Sequence, residues 1–163
     1  MILPKPAPGN DFLSRHVELL CFSFRHWTGE ALAPRDLPPA EAARWLYHAP
    51  FALLSHDTRA DPVFNYANLC AQDLFEMDWA TFTRLPSRLS AEAPVREKRQ
   101  RLLEAVARQG YIDDYRGIRI SQSGRRFKIE GAWIWNVIDQ SGRLLGQAAK
   151  LDRWTFLGDK QTP

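Results

Sequence analysis

The last third of the chain most restricts the fold, because three long strand-forming runs are separated there by two Ser-Gly turns. YIDDYRGIRISQ (111–122) leads to Ser123-Gly124, RRFKIEGAWIWNVID (125–139) leads to Ser141-Gly142, and RLLGQAAKLDRWTFL (143–157) follows. Runs rich in β-branched and aromatic residues, bounded by turn residues, predict an antiparallel meander. In the second run a regular strand would carry Phe127, Ile129, Trp133, Trp135 and Val137 on one face. Arg126, Lys128 and Glu130 would point the other way, as expected of a sheet packed on a core by one side.

The residues before the meander supply helices and two more strands. Residues 1–10, with three prolines and a glycine, read as an irregular tail. Asp11 suits an N-cap for a helix carrying Leu13, Val17, Leu20, Phe24 and Trp27 at helical spacing, with Gly29 to end it. After a proline-rich loop over 30–39, Asp36 and its following prolines open a second helix, AEAARWLYH, which Pro50 stops. FALLSH (51–56) and VFNYAN (63–68), separated by Asp61-Pro62, read as short strands. LCAQDLFEM (69–77) is helical through Leu69, Leu74 and Phe75, and 78–93 reads as short turns. Pro94 starts a further helix with a narrow apolar face of Leu102, Leu103 and Val106, ended by Gly110.

The predicted class is therefore α+β: a five-stranded antiparallel sheet with helices on one face and an N-terminal helical extension. The extension either covers the other face or pairs with a second copy. The expected layout is a tail and two helices over 1–49, the core over 50–157 and a tail over 158–163. At 163 residues one domain buries roughly 70% of its unfolded surface, enough to dispense with metal or disulfide staples. A net charge of +3 is too mild to argue for nucleic acid. Cys21 and Cys70 lie in separate segments, which favours reduced thiols and a cytoplasmic location. MILPKPAPGND lacks an apolar signal region, and no apolar run reaches the roughly 20 residues of a membrane span.

The order of elements is that of a PAS domain, and PVFNYAN followed by LCAQDLFEMD is similar to the PAS pattern of a strand, an Asn at its end and a short helix. More specifically the chain resembles the MEKHLA domain, a PAS-related family. The likeness is carried by LLSHDTRADPVFNYAN (53–68), LPSRLSAE (85–92), GYIDDYRGIRISQSGRRFKIE (110–130), WNVID (135–139) and GQAA (146–149). The resemblance implies a PAS-like fold and a sensing or regulatory role. It brings no enzymatic activity and no settled ligand.

Catalytic and metal chemistry find little support in the residues. His16, His26, His48 and His56 form no HxxxH pair, and neither cysteine lies in a CxxC. Ser55, His56 and Asp57 are contiguous in an extended segment, so their side chains diverge where a triad must converge. Ser87 and Ser90 lack a nucleophile-elbow pattern and suit loop bracing. Asp113-Asp114 reads as a solvated turn. The expectation is a protein that is not an enzyme. LPSRLSAE has no Cys, against covalent flavin photochemistry of the photosensory PAS kind. The helix 94–109 has no His, against the usual haem ligation. A flavin bound non-covalently stays open, and no cofactor is specified.

The ligand-binding candidates are His56, Asn65, Tyr66, Asn68, Trp133, Trp135 and Gln147. They are aromatics and neutral amides that can orient a ligand without desolvating a charge. Gln147 sits where several PAS domains place a ligand-contacting Gln. The competing reading is a filled core in which these aromatics simply pack. Arg116, Arg119, Arg125, Arg126 and Lys128 gather at one hairpin and read mostly as a solvated face. The expected function is a PAS-like sensor that binds a small molecule and acts in trans. The alternative is a ligand-free dimerisation or protein-interaction module. The expected partners are a small-molecule ligand and a second copy docked through the N-terminal helices, with no membrane and with nucleic acid disfavoured.

Overall fold

The meander and the two earlier strands join into one antiparallel sheet in a computed structural model that describes residues 3–91 and 93–158. The strands are β1 (Ala52–His56), β2 (Phe64–Ala67), β3 (Tyr111–Ile120), β4 (Arg126–Ile138), β5 (Leu144–Leu151) and β6 (Trp154–Phe156). The sheet order is β2-β1-β5-β4-β3, and β6 pairs with the first residues of β4. The helices are α1 (Ser14–Thr28), α2 (Pro39–Tyr47), α3 (Leu69–Phe75), α4 (Trp79–Phe82) and α5 (Ala93–Gln109). The side chain of Leu103 and the tail beyond Gly158 lie outside the described residues.

Helices cover both sides. Phe64, Phe75, Phe82, Phe127, Ile129 and Ile134 pack with Val106 of α5 on one face. Leu20, Phe24, Leu46, Tyr66, Trp135 and Val137 pack on the other, under α1 and α2. The N-terminal helices thus close the second face within the chain.

The expected single apolar face of β4 is corrected. Phe127 and Ile129 belong to the α5 side, whereas Trp135 and Val137 belong to the α1 side. The cause is a bulge: Gly117 pairs with Ile129 but Tyr115 pairs with Ala132, so β4 carries an extra residue. Gly131 sits there at φ 63°, a left-handed conformation that glycine adopts without steric cost. One inserted residue turns every later side chain to the opposite face. A second irregularity lets β2 pass Asn65, since Ser55 pairs with Tyr66 while His56 pairs with Phe64.

Two helix starts also differ from expectation. Asp11 does not cap α1. Asp11, Phe12 and Leu13 turn left-handed at φ 53°, 53° and 57°, and Leu13 is the capping position. The turn sets Phe12 against Tyr47, with ring centroids 6.0 Å apart. Asp36 does not open α2, which begins at Pro39 after Pro38. Gly110 ends α5 at φ 97°, and a Cβ there would strike the Trp27 indole, so the α5–β3 corner is seated on α1.

Candidate functional site

A small, partly open space lies between the sheet and its α3–α5 cover. Its walls are apolar, from Leu54, Phe64, Phe75, Ile129, Ile134 and Leu151, with His56, Ser90, Tyr115, Arg119 and Gln147 contributing polar groups. The space amounts to about 50 Å³. A water needs about 10–15 Å³ on this measure, so it holds the equivalent of roughly three to five waters. Pockets for drug-sized ligands run to roughly 300–1,000 Å³.

Gln147 connects this space to both helical layers. Its Nε2 donates to Asn136 Oδ1 at 3.1 Å, and Asn136 Nδ2 donates to the Val106 carbonyl of α5 at 3.0 Å. The Asn136 backbone N–H donates to the Gly110 carbonyl at 2.8 Å. Its own carbonyl accepts from Trp27 Nε1 of α1 at 2.9 Å. One buried residue therefore joins the cavity, α5 and α1. Sequence reasoning passed over it, although a lone amide inside the apolar run WIWNVI was a visible signal.

Arg119 was expected on a solvated hairpin face, and that is corrected. Its residue is only 9% exposed. Tyr115, Gly117 and Arg119 alternate along one side of β3, and that side meets the helices. Arg119 Nη1 donates to Ser90 Oγ at 3.3 Å, and its guanidinium lies 5.3 Å from the centre of the Tyr115 ring. Ser90 Oγ in turn donates to the Ser87 carbonyl at 2.7 Å, bracing the loop. A Cβ on Gly117 would fall on the Tyr115 hydroxyl, so glycine is what lets this phenol lie along the strand. Asp113 and Asp114 are exposed, at the point where β3 is irregular.

Of the seven residues proposed from sequence, His56 and Gln147 line the cavity. Tyr66, Trp133 and Trp135 do not. The bulge at Gly131 and the irregularity at Asn65 send them to the α1 side, where Phe24 lies 4.8 Å from Trp135 and 5.4 Å from Trp133, ring centre to ring centre. Asn68 is fully buried and engaged by backbone. Its Oδ1 accepts from Leu53 N and Ala71 N at 3.0 Å each, and its Nδ2 donates to the Leu46 and Phe51 carbonyls at 2.9 Å each. It caps α3 and staples it to β1 and α2, leaving no group for a ligand. Asn65 Oδ1 accepts from Ser55 Oγ at 2.5 Å, and Ser55 Oγ is 2.9 Å from His16 Nε2.

Ser55 thus faces α1 while His56 faces the cavity, its Nδ1 donating to the Asp57 carbonyl at 2.8 Å. The contiguous Ser-His-Asp string is split between the two sides of the sheet. Under α1, burial pushes the His16 pKa down to about 4. Burial, with a smaller contribution from Glu18, pushes the Cys21 thiol up to about 11. Cys21 and Cys70 are both free. Among the described residues no three His, Cys, Asp or Glu converge as a metal site requires, and no helix is long and apolar enough to cross a membrane.

This strand order with its helical cover defines a PAS/LOV-like fold. Its likeness to solved structures is broad. A PAS domain from Colwellia psychrerythraea superposes with a TM-score of 0.61 at 13% identity, covering 69% of this chain and 92% of that one. An RNA-binding light-oxygen-voltage receptor gives 0.61 at 21% identity over 75% and 35% of the two chains. A fungal LOV domain photoreceptor gives 0.57 at 17% identity over 90% and 94%. At these identities the likeness carries the fold alone. The family is shown by sequence: the MEKHLA domain model matches residues 14–156, and the chain belongs to the MEKHLA domain family. The homeobox-leucine zipper protein HOX10 of Oryza sativa is 23% identical over 139 residues, which are 85% of this chain and 17% of that protein. The chain therefore spans less than a fifth of that relative's length.

The flavin of LOV proteins does not fit the residues present. The space between sheet and helices is about 50 Å³, several-fold below the roughly 300 Å³ at which drug-sized pockets begin. The aromatics that could have flanked a ring system, Trp133 and Trp135, lie on the other side of the sheet.

Proposed function

We propose that the chain is a regulatory module of the sensory PAS type, which binds a small molecule between the sheet and α5 and reports occupancy through α1 to a separate partner. The observation that carries this reading is the Asn136 junction, where the cavity residue Gln147, the α5 carbonyl of Val106 and the α1 indole of Trp27 meet on one amino acid. A ligand that turns the Gln147 amide alters the acceptor of its hydrogen bond and so biases the seating of both helices, which is all a two-state output requires. Neighbours named as photoreceptors and a relative named as a homeobox-leucine zipper protein support a sensing or regulatory role. The reading includes no catalytic step.

Native mass spectrometry of protein taken directly from cells tests occupancy. A bound species of small mass, together with slower hydrogen exchange in α1 when it is present, is the expected result. Asn136→Ala should uncouple the two, leaving the ligand bound and the exchange of α1 unresponsive. Occupancy without any change in α1 of the unmodified protein would defeat the proposed output.

A second reading, a partner-binding or dimerising surface on the N-terminal helices, is favoured by Phe22 of α1 and Trp45 of α2, which are 38% and 40% exposed. Sedimentation of the protein against Phe22→Ser and Trp45→Ser variants separates it from the first, since only this reading makes the mass depend on those rings.

A further inference from the structure

Arg119 asks for an anion. A guanidinium carries five donors and a permanent charge. Here it is about nine-tenths buried, and among the described residues its side chain meets a neutral hydroxyl, Ser90 Oγ, and the face of Tyr115. Among the described residues no carboxylate forms an ion pair with it. A buried charge is costly unless it is paired and hydrogen-bonded. The same side chain lines the cavity, so a complementary charge can reach it there.

The shape of the site limits that charge. An Arg fork matches the two oxygens of a carboxylate. Beyond the guanidinium the walls are apolar, with Leu54, Ile129 and Ile134 facing the same space. The available volume, about 50 Å³, is room for a group of roughly three to five heavy atoms by the water equivalence. We infer that the cavity binds a small aliphatic monocarboxylate of acetate or propionate size, its carboxylate on the Arg119 fork and its alkyl end against Ile129 and Ile134. This rests on the sensory reading above and supplies its ligand class. Gly117 is part of the site, because any side chain there would displace the Tyr115 phenol from its place beside Arg119.

Calorimetric titration of the intact protein with acetate and propionate, using acetamide and propionamide as neutral isosteres and inorganic phosphate as a bulkier anion, tests the inference. The carboxylates should bind saturably at one site, and the amides about ten- to a hundredfold more weakly, the range that one charge-assisted hydrogen-bonded pair supplies. Phosphate, with no alkyl end to bury, should bind more weakly than propionate. Arg119→Lys keeps the charge and loses the fork, and should weaken propionate about tenfold. Arg119→Met should abolish its binding, and melting temperatures report whether that variant is folded. If Arg119→Met does not fold, the Lys variant and the amide comparison still decide the matter. Amides that bind as tightly as the acids would overturn the carboxylate assignment and leave the small-molecule sensor standing, as would Arg119→Lys binding like the parent. No saturable binding of any of these solutes would overturn this inference, while a different small species found on protein from cells would still uphold the sensor.

Discussion

The two sides of the sheet are assembled from similar residues yet are closed differently. Under α1 and α2, Phe24 meets Trp135 and Trp133 edge to face, His16 stacks on Tyr66, and Ser23 exchanges two hydrogen bonds with Ile138. Under α3–α5 the packing leaves a small space, and a charged side chain borders it. A close-packed aromatic layer resists change in volume, since such interiors tolerate neither cavities nor added atoms. A face with a gap and a buried charge can respond to a solute. The comparison separates a structural side from a responsive side, with Asn136 on the strand between them.

The largest expected effect comes from putting a charge into the structural side. Leu20 of α1 is fully buried against the sheet. Leu20→Glu should cost about 4 kcal/mol or more, enough to unfold a marginal domain. Urea denaturation measures it. If α1 served only as a docking element for another copy, the monomer's stability would be nearly unchanged and only its association would alter.

Next is acid. His16 titrates at about 4 in the folded protein against an ordinary 6.5, because burial disfavours its charged form. As pH falls through 6.5 the unfolded chain takes up a proton that the folded protein refuses until about 4. The stabilisation is therefore complete above pH 6.5 and is lost progressively down to about 4, by about 1.4 kcal/mol per unit and roughly 3 kcal/mol in all. His16→Gln should flatten the urea midpoint across that window. An equally steep fall in the variant would move the acid-sensitive group off the α1 side.

How much of this contrast could be read from the residues follows from two bulges. The meander and its helical roof were legible, because turn dipeptides and apolar spacing encode them locally. The division of β4 between two cores was not, because alternation predicts one face only while pairing stays in step. Gly131 was the visible warning, a lone glycine inside a strand. Asn65 and Tyr66 could not be assigned to a side for the same reason. The capping and stapling role of Asn68 was not legible, because its four backbone partners come from separate parts of the chain that only folding gathers. Arg119 was indistinguishable from its exposed neighbours until β3 was given a register.

Ala148 and Ala149, adjacent on β5, offer a smaller and more local comparison. Both border the cavity, but Ala148 pairs with Trp135 and packs into the α1-side core, whereas Ala149 pairs with Ile134 and packs against the α5-side core. Ala148→Val should lower stability by about 1–3 kcal/mol through overpacking. Ala149→Val should stay within about 1 kcal/mol of the parent, because the added methyl groups have somewhere to go. Equal costs would mean that the two sides are packed alike.

The smallest effect should be a gain. Tyr66 is fully buried, its Oη has no hydrogen-bond partner among the described residues, and burial holds its hydroxyl well above the ordinary tyrosine range. A buried hydroxyl without a partner costs about 1–3 kcal/mol, so removing it can stabilise. Tyr66→Phe keeps the ring, which lies 5.7 Å from His16 and 5.8 Å from Trp79 by ring centres. It should leave stability unchanged or raise it by about 1 kcal/mol, read as a higher urea midpoint with the same slope. A loss of that size would mean that Oη is hydrogen-bonded in solution, through a trapped water or a shifted His16. The aromatic side would then hold polar partners of its own, and the distinction between a structural face and a responsive one would have to be drawn from Arg119 alone.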